Sequence, residues 1–276
     1  NFKLNIELSS LSINKNSYNI WTSLNKLKDI EDQVSAHRWI WIYKLLDEIK
    51  INKKKKIKYI SESINNWFYL FSDTVIDKHN PIFESYTISE RLVLYVSLVE
   101  MKIVKPNKDH IHFLSKQFIY LTENMEFYFK KDSNHVLNNI RAIMIYAKFI
   151  NSTNHLKFFI KTLNNICTRF IDKKGFFKFC SSHYQFIFTK WIIDIYLYSY
   201  KSRLLKEKII LSISACKFFE IEHKKKIIIP LFGNISPDFS PEYISNFINN
   251  ISYYKKGIDN NKIYTRLYRL KFIKLF

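Results

Sequence analysis

Glu31-Asp32-Gln33-Val34-Ser35-Ala36-His37-Arg38-Trp39-Ile40-Trp41-Ile42-Tyr43-Lys44-Leu45-Leu46-Asp47-Glu48-Ile49-Lys50 is the stretch that decides the fold. Val34, Trp41, Leu45 and Ile49 recur at the 3.6-residue period of one helix face, so the spacing predicts a helix over Glu31–Lys50. The same period continues outward from it. A second helix is expected over Lys56–Phe71. A third opens at Thr87, where Thr87 and Glu90 have the spacing of a capping box. Further helices are expected over Asp109–Glu126, His135–Ile150, His155–Ile171, Ser182–Tyr200, Leu204–His223 and Pro241–Ile251.

Composition agrees with an all-α chain. Of 276 residues only 3 are glycine and 5 proline, too few for the turns of a β-sandwich or barrel. A hydrophobic fraction of 47%, with 17% aromatic, supplies a core and excludes intrinsic disorder. The apolar stretch from Phe186 to Tyr200 is interrupted by Lys190 and Asp194, which argues against a membrane span. Cys167, Cys180 and Cys216 contain no C-x-x-C pair and are odd in number, so they read as buried thiols, with neither a zinc site nor a disulfide framework. No motif calls for a cofactor.

The net charge of +20 draws polyanions, whether nucleic acid, anionic lipid surface or acidic polysaccharide, and does not choose among them. An AT-rich codon bias toward Lys, Asn, Ile, Phe and Tyr produces the same excess. The basic residues are scattered except for Lys53 to Lys56 and Lys224 to Lys226, each read as a solvated loop.

Short polar links join the helices and no Pro/Gly/Ser-rich linker divides them, so residues 1–276 read as one domain of packed helical hairpins. No tetratricopeptide or ankyrin period is present. The irregular connections are Asn80–Tyr86, Asp172–Ser181 and Ile227–Ser240, and loops on a rigid scaffold are where function concentrates.

Five segments, in order, resemble the N-terminal region of heparinase II/III-like polysaccharide lyases, in particular those encoded with bacterial surface-polysaccharide genes. They are Asp32 to Trp41; Tyr86-Thr87-Ile88-Ser89-Glu90-Arg91; Ser133 to Ala142, with its Asn134-His135; Gly175 to Tyr184 leading into Thr189-Lys190-Trp191; and, more weakly, Pro230 to Phe239. Together they cover about residues 31–242. Lys174, Phe179 and Cys180 depart from the family pattern, as does Asn138, which is acidic in some members.

The resemblance implies an incomplete (α/α) toroid of antiparallel helical hairpins. It also implies β-elimination at a uronic acid in an anionic polysaccharide, in the periplasm or cell envelope. No signal peptide is visible, and the cytoplasm stays open. The family's C-terminal β-sheet domain has no room in this chain, so the expectation is an enzyme half that needs such a domain or a partner chain.

β-Elimination must neutralise the uronate carboxylate, remove the adjacent proton and protonate the leaving oxygen. The resemblance assigns the first task to Asn134 and His135 and one or both of the proton transfers to Tyr184. It assigns substrate contacts to His183 and Asn138 and also to Arg38 and His37, two residues that read equally as helix packing. A tyrosine acts as base near neutral pH only where positive charge stabilises the phenolate, since its free pKa is about 10. Read without the resemblance, Asn134-His135 is a helix N-cap with a hydrogen-bonded histidine, and Trp39, Trp41, Trp67 and Trp191 are core. Two other functions remain in view: a helical domain that holds acidic glycan without cleaving it, and, weakest of the three, a nucleic-acid-binding helical repeat, which requires a continuous Lys/Arg stripe.

Overall fold

The computed structural model describes Trp21 and residues 29–47, 52–77, 79–126, 134–178, 181–224, 226–236 and 238–253. Among them are ten α-helices, one 3₁₀ turn and a single two-stranded hairpin. The chain is all-α in class and divides into two compact units.

The first unit contains α1 (Ile30–His37), α2 (Trp41–Asp47), α3 (Lys53–Phe71), a 3₁₀ turn (Pro81–Phe83), α4 (Ser85–Glu100) and α5 (Lys108–Glu123). The helix expected over Glu31–Lys50 is two helices, because Trp39 adopts φ 61° between them. A left-handed tryptophan is strained, by about 1–3 kcal/mol. Its ring, buried 5.1 Å from Trp67 and 6.1 Å from Phe68, offsets that cost. The Lys53–Lys56 run is the first turn of α3 rather than a loop. Lys56 is buried there, and its ammonium donates to the Leu46 carbonyl at 2.9 Å, near the end of α2.

α4 is the centre of this unit: nearly every residue from Ser85 to Leu98 is buried, and α1, the 3₁₀ turn and α5 pack on it. It begins at Ser85, two residues before Thr87. The Thr87 hydroxyl donates to Glu84 Oε2 at 3.1 Å, so the Thr87/Glu90 capping box does not form the helix start.

The second unit contains α6 (Asn134–Phe149), α7 (Thr153–Phe170), α8 (Ser182–Tyr198), α9 (Arg203–Phe218), the strands β1 (Ile221–His223) and β2 (Lys226–Ile228), and α10 (Pro241–Tyr253). Here α8 is central, buried from Ser182 to Tyr196 apart from Tyr184, with α6, α9 and α10 against it. The helix expected over Leu204–His223 ends at Phe218, and β1 and β2 pair antiparallel with Ile221 opposite Ile228. No helix among the described residues is long and apolar enough to cross a membrane.

Candidate functional site

The start of α8 is where two of the irregular connections meet. Ser181 caps the helix by accepting the Tyr184 N–H at 3.1 Å, as serine at an N-cap commonly does, while its own hydroxyl donates to the Asn234 carbonyl at 2.5 Å. The Ser182 hydroxyl donates to the Pro230 carbonyl at 2.7 Å and accepts the Phe232 N–H at 3.1 Å. The Ser182 N–H returns to the Phe232 carbonyl at 3.2 Å. His183 Nδ1 accepts the Ser236 N–H at 3.2 Å. Three consecutive residues at the start of α8 thus grip the strap 230–236, about fifty positions away in sequence.

Because a backbone N–H points at Nδ1, the neutral His183 ring carries its proton on Nε2. That nitrogen is buried, and the Phe239 carbonyl is near the ring but outside good hydrogen-bonding geometry with it. Burial pushes the His183 pKa down, and the Phe239 carbonyl and Glu242 carboxylate oppose the shift without reversing it. Tyr184, next in sequence, is half-buried, its ring 6.3 Å from that of His183 and 5.3 Å from that of Phe188.

The other connection is fixed by Gln185. Its Oε1 accepts the Phe177 N–H at 2.9 Å, and its amide donates to the Gly175 carbonyl at 3.0 Å. Gly175 sits at φ 91°, where a Cβ would lie 2.2 Å from the Leu211 carbonyl oxygen of α9. Only glycine fits there.

Where α6 meets α8, a buried polar group joins them. Arg141 Nε donates to Asp194 Oδ2 at 2.9 Å, and Lys190 Nζ donates to the same oxygen at 2.7 Å. All three side chains are buried. Arg141 also donates through Nη1 to Asn138 Oδ1 at 2.8 Å. Arginine has no acceptor, so the Asn138 oxygen must face it and the amide NH₂ points away. Asn138 Nδ2 is one of several buried donors without an acceptor among the described residues, with Trp39 Nε1, Gln117 Nε2 and Ser212 Oγ among the others.

His135 is half-buried in the first turn of α6, as Tyr184 is in the first turn of α8, and the two helices pack on each other. Asn134 opens α6, and its side chain lies outside those described, as do Ser133, Phe179 and Cys180. Cys167 and Cys216 are buried thiols, pushed by burial up to about 12. No group of three or more His, Cys, Asp or Glu among the described residues is placed to hold a metal ion.

Arg38 and His37 belong to the first unit, where the first two motif segments are knotted together. Arg38 pairs with Glu31 at 2.6 Å and Glu84 at 3.4 Å, and its guanidinium lies 4.8 Å over the Tyr86 ring. The His37 Nδ1 accepts the Trp67 indole N–H at 3.0 Å, and its ring packs against Trp21 and Phe71. Burial, with a smaller push from Arg91, lowers the His37 pKa to about 3, so the ring is neutral. Arg91 is buried and donates to Gln117 Oε1 and to the His37 and Ile82 carbonyls. Burial brings it down to about 9.

Sequence reasoning named neither Arg91, Gln185, Arg141 nor Asp194 as functional. The signal was present for one pair: Lys190 and Asp194, four apart on an otherwise apolar helix, must be neutralised within the core. Comparison with protein-family models, with curated proteins and with solved structures finds no match for this chain.

Proposed function

We propose that this chain is a polysaccharide-lyase-like domain of the heparinase II/III type, an incomplete α/α toroid that binds uronic-acid-containing polysaccharide of the cell envelope and promotes its β-elimination. One observation carries the reading. Asn138, assigned to substrate by the motif resemblance, buries a hydrogen-bond donor that has no acceptor among the described residues, and the donor of His183, assigned likewise, has only the Phe239 carbonyl, outside good hydrogen-bonding geometry. Such donors cost about 1–3 kcal/mol each, so they call for an outside partner rich in acceptor oxygens. A uronate, with its carboxylate, ring and hydroxyl oxygens, is a ligand of that kind.

In this reading Asn134 and His135 neutralise the carboxylate and hold the developing enolate. Tyr184 serves one or both proton transfers, removal of the adjacent proton and protonation of the leaving glycosidic oxygen, the remaining groups belonging to a β-sheet domain or partner chain. Asn138 and His183 orient the sugar. The strap 230–236, bonded through Ser181, Ser182 and His183, fixes the start of α8 and with it the Tyr184 backbone.

The test is incubation of the purified chain with alginate, heparan-type and capsular uronates, following the ultraviolet absorbance of the unsaturated product, beside a binding titration. For the purified chain the expected result is weak, salt-sensitive uronate binding with turnover slow or absent, any residual turnover vanishing in Tyr184→Phe while binding persists. Robust turnover lost in Tyr184→Phe would show a complete enzyme and refute the incomplete-half reading, and residual turnover that Tyr184→Phe leaves unchanged would select the non-catalytic glycan-binding reading. Absence of binding and turnover alike refutes the proposal.

A further inference from the structure

Among the described residues, exposed apolar side chains cluster in one segment. Seven of the fourteen exposed large hydrophobic side chains among the described residues fall between Phe218 and Ile235, with Phe218 itself 75% exposed. The segment comprises the end of α9, the β1–β2 hairpin and the start of the strap. Phe176 from the neighbouring turn joins it, its ring 5.6 Å from Phe218 and 5.9 Å from Phe219, and Phe219 is 5.4 Å from Phe232. Gly175 against Leu211, and Lys208 donating to the Ile171 carbonyl at 2.9 Å, hold that turn on α9. The patch is therefore built on fixed backbone.

Its rim is basic. Among the described side chains of residues 172–178 and 217–235 there are five lysines, all exposed, against three acidic residues. Lys173, Lys174, Lys217 and Lys224 are exposed. Two of the acids are engaged internally: Asp172 Oδ1 accepts the Lys174 and Phe176 N–H groups, and Glu220 Oε1 accepts the Ser245 hydroxyl. Exposed aliphatic and phenyl groups ringed by lysines match a bilayer surface, where apolar groups enter the acyl boundary and lysines pair with lipid phosphates.

Other occupants fit less well. The phenylalanine rings meet at steep angles, 88° and 85° from Phe176 to Phe218 and Phe219 and 62° from Phe219 to Phe232, so they form no flat platform for a sugar ring. Ile221, Ile228, Leu231 and Ile235 offer a hydroxyl-rich glycan no hydrogen bond. Strand addition is disfavoured by strands of only three residues joined through a lysine turn, a pattern that blunts sheet edges.

We propose that the face formed by the end of α9, the β1–β2 hairpin and the strap docks the second unit onto an anionic membrane surface, lying in the interface without spanning it. The docking uses Phe218, Ile221, Leu231, Phe232 and Ile235 as insertion groups and Lys173, Lys174, Lys217 and Lys224 as headgroup contacts.

The experiment is co-sedimentation of the full chain with vesicles of phosphatidylcholine alone and of an equal mixture of phosphatidylcholine and phosphatidylglycerol. One variant replaces Phe218, Leu231 and Ile235 by serine. A second replaces the four lysines by glutamate. All are surface positions, and thermal unfolding by circular dichroism verifies that each variant folds. The expected result is binding to the mixed vesicles only, weakened by salt, and reduced about tenfold or more in each variant. Equal binding to neutral vesicles, no binding to either, or binding that the serine variant leaves unchanged overturns the proposal, the last because it would show only the unspecific attraction of net charge. So does a serine variant that loses acidic-glycan binding or self-association while its vesicle binding is unaltered.

Discussion

Replacing Asp194 by alanine removes the carboxylate that Arg141 and Lys190 share inside the second unit. Both cations donate to one oxygen, at 2.9 and 2.7 Å, and all three side chains are buried. Breaking a buried ion pair from one side costs about 3–5 kcal/mol, because the remaining charge keeps its desolvation penalty without its partner. Against a total stability of about 5–15 kcal/mol for a typical domain, that is a large share of what holds the unit folded. The measurement is urea unfolding followed by circular dichroism, read as a fall in midpoint with little change in slope. Asp194→Asn keeps an oxygen for one donor and should lose less. A triple variant, Asp194→Leu with Arg141→Met and Lys190→Met, removes every charge at once and should recover most of the loss. An Asp194→Ala protein within about 0.5 kcal/mol of the parent, the range of ordinary surface substitutions, would refute the view that this carboxylate compensates the core cations.

Acid should destabilise the first unit through His37 and His110, which burial lowers to about 3 and about 4 from an ordinary 6.5. Because the folded state resists protonation, their contribution is complete above pH 6.5 and is lost as pH falls toward those folded values. Urea midpoints between pH 7 and 4 should fall, and His37→Gln should flatten the slope; an unchanged slope in that variant would contradict the assignment. Gly175→Ala forces a Cβ to 2.2 Å from the Leu211 carbonyl oxygen at a left-handed φ. It should cost about 1–3 kcal/mol or more of stability by the same unfolding assay, and a neutral effect would mean that the turn moves off α9 freely.

The helices were legible because their apolar faces repeat with the helical period, and propensity and pattern agree over most of the chain. The misses share a cause: a tertiary contact overrode a local signal. Nothing local marks Trp39 for a left-handed backbone; only the pocket formed by Trp67 and Phe68 makes it tolerable. Thr87 and Glu90 have capping-box spacing, yet Thr87 bonds Glu84 and the helix starts earlier. The run Phe218 to His223 carries no turn glycine or proline, so the helical pattern extends to His223 in the sequence, where the first strand of a hairpin forms. In the candidate site, His183 and Asn138 were legible as residues through the motifs. Their orphaned donors were not, since each depends on a partner from elsewhere: the Ser236 N–H for one and the Arg141 guanidinium for the other.

Those two donors also bear on why each unit is built around a helix buried on nearly all sides. α4 and α8 each begin with one of the motif segments and bury polar side chains along their length. In α4 the Arg91 donors reach neutral acceptors, and in α8 Lys190 and Asp194 pair with each other and with Arg141. Such networks specify one register for the surrounding helices, because a shift of one residue would strand a charge in the core. A unit selected for stability alone would complete the network. Both units leave buried donors unmet among the described residues, Gln117 Nε2 in the first and Asn138 Nδ2 and Ser212 Oγ in the second, but at Asn138 and His183 the other side of the side chain is bonded and fixed, by Arg141 and by the Ser236 N–H. Held orientation combined with an unmet donor is what a preorganised binding residue requires, since its donor neither reorients nor gives up a protein bond when a ligand oxygen arrives.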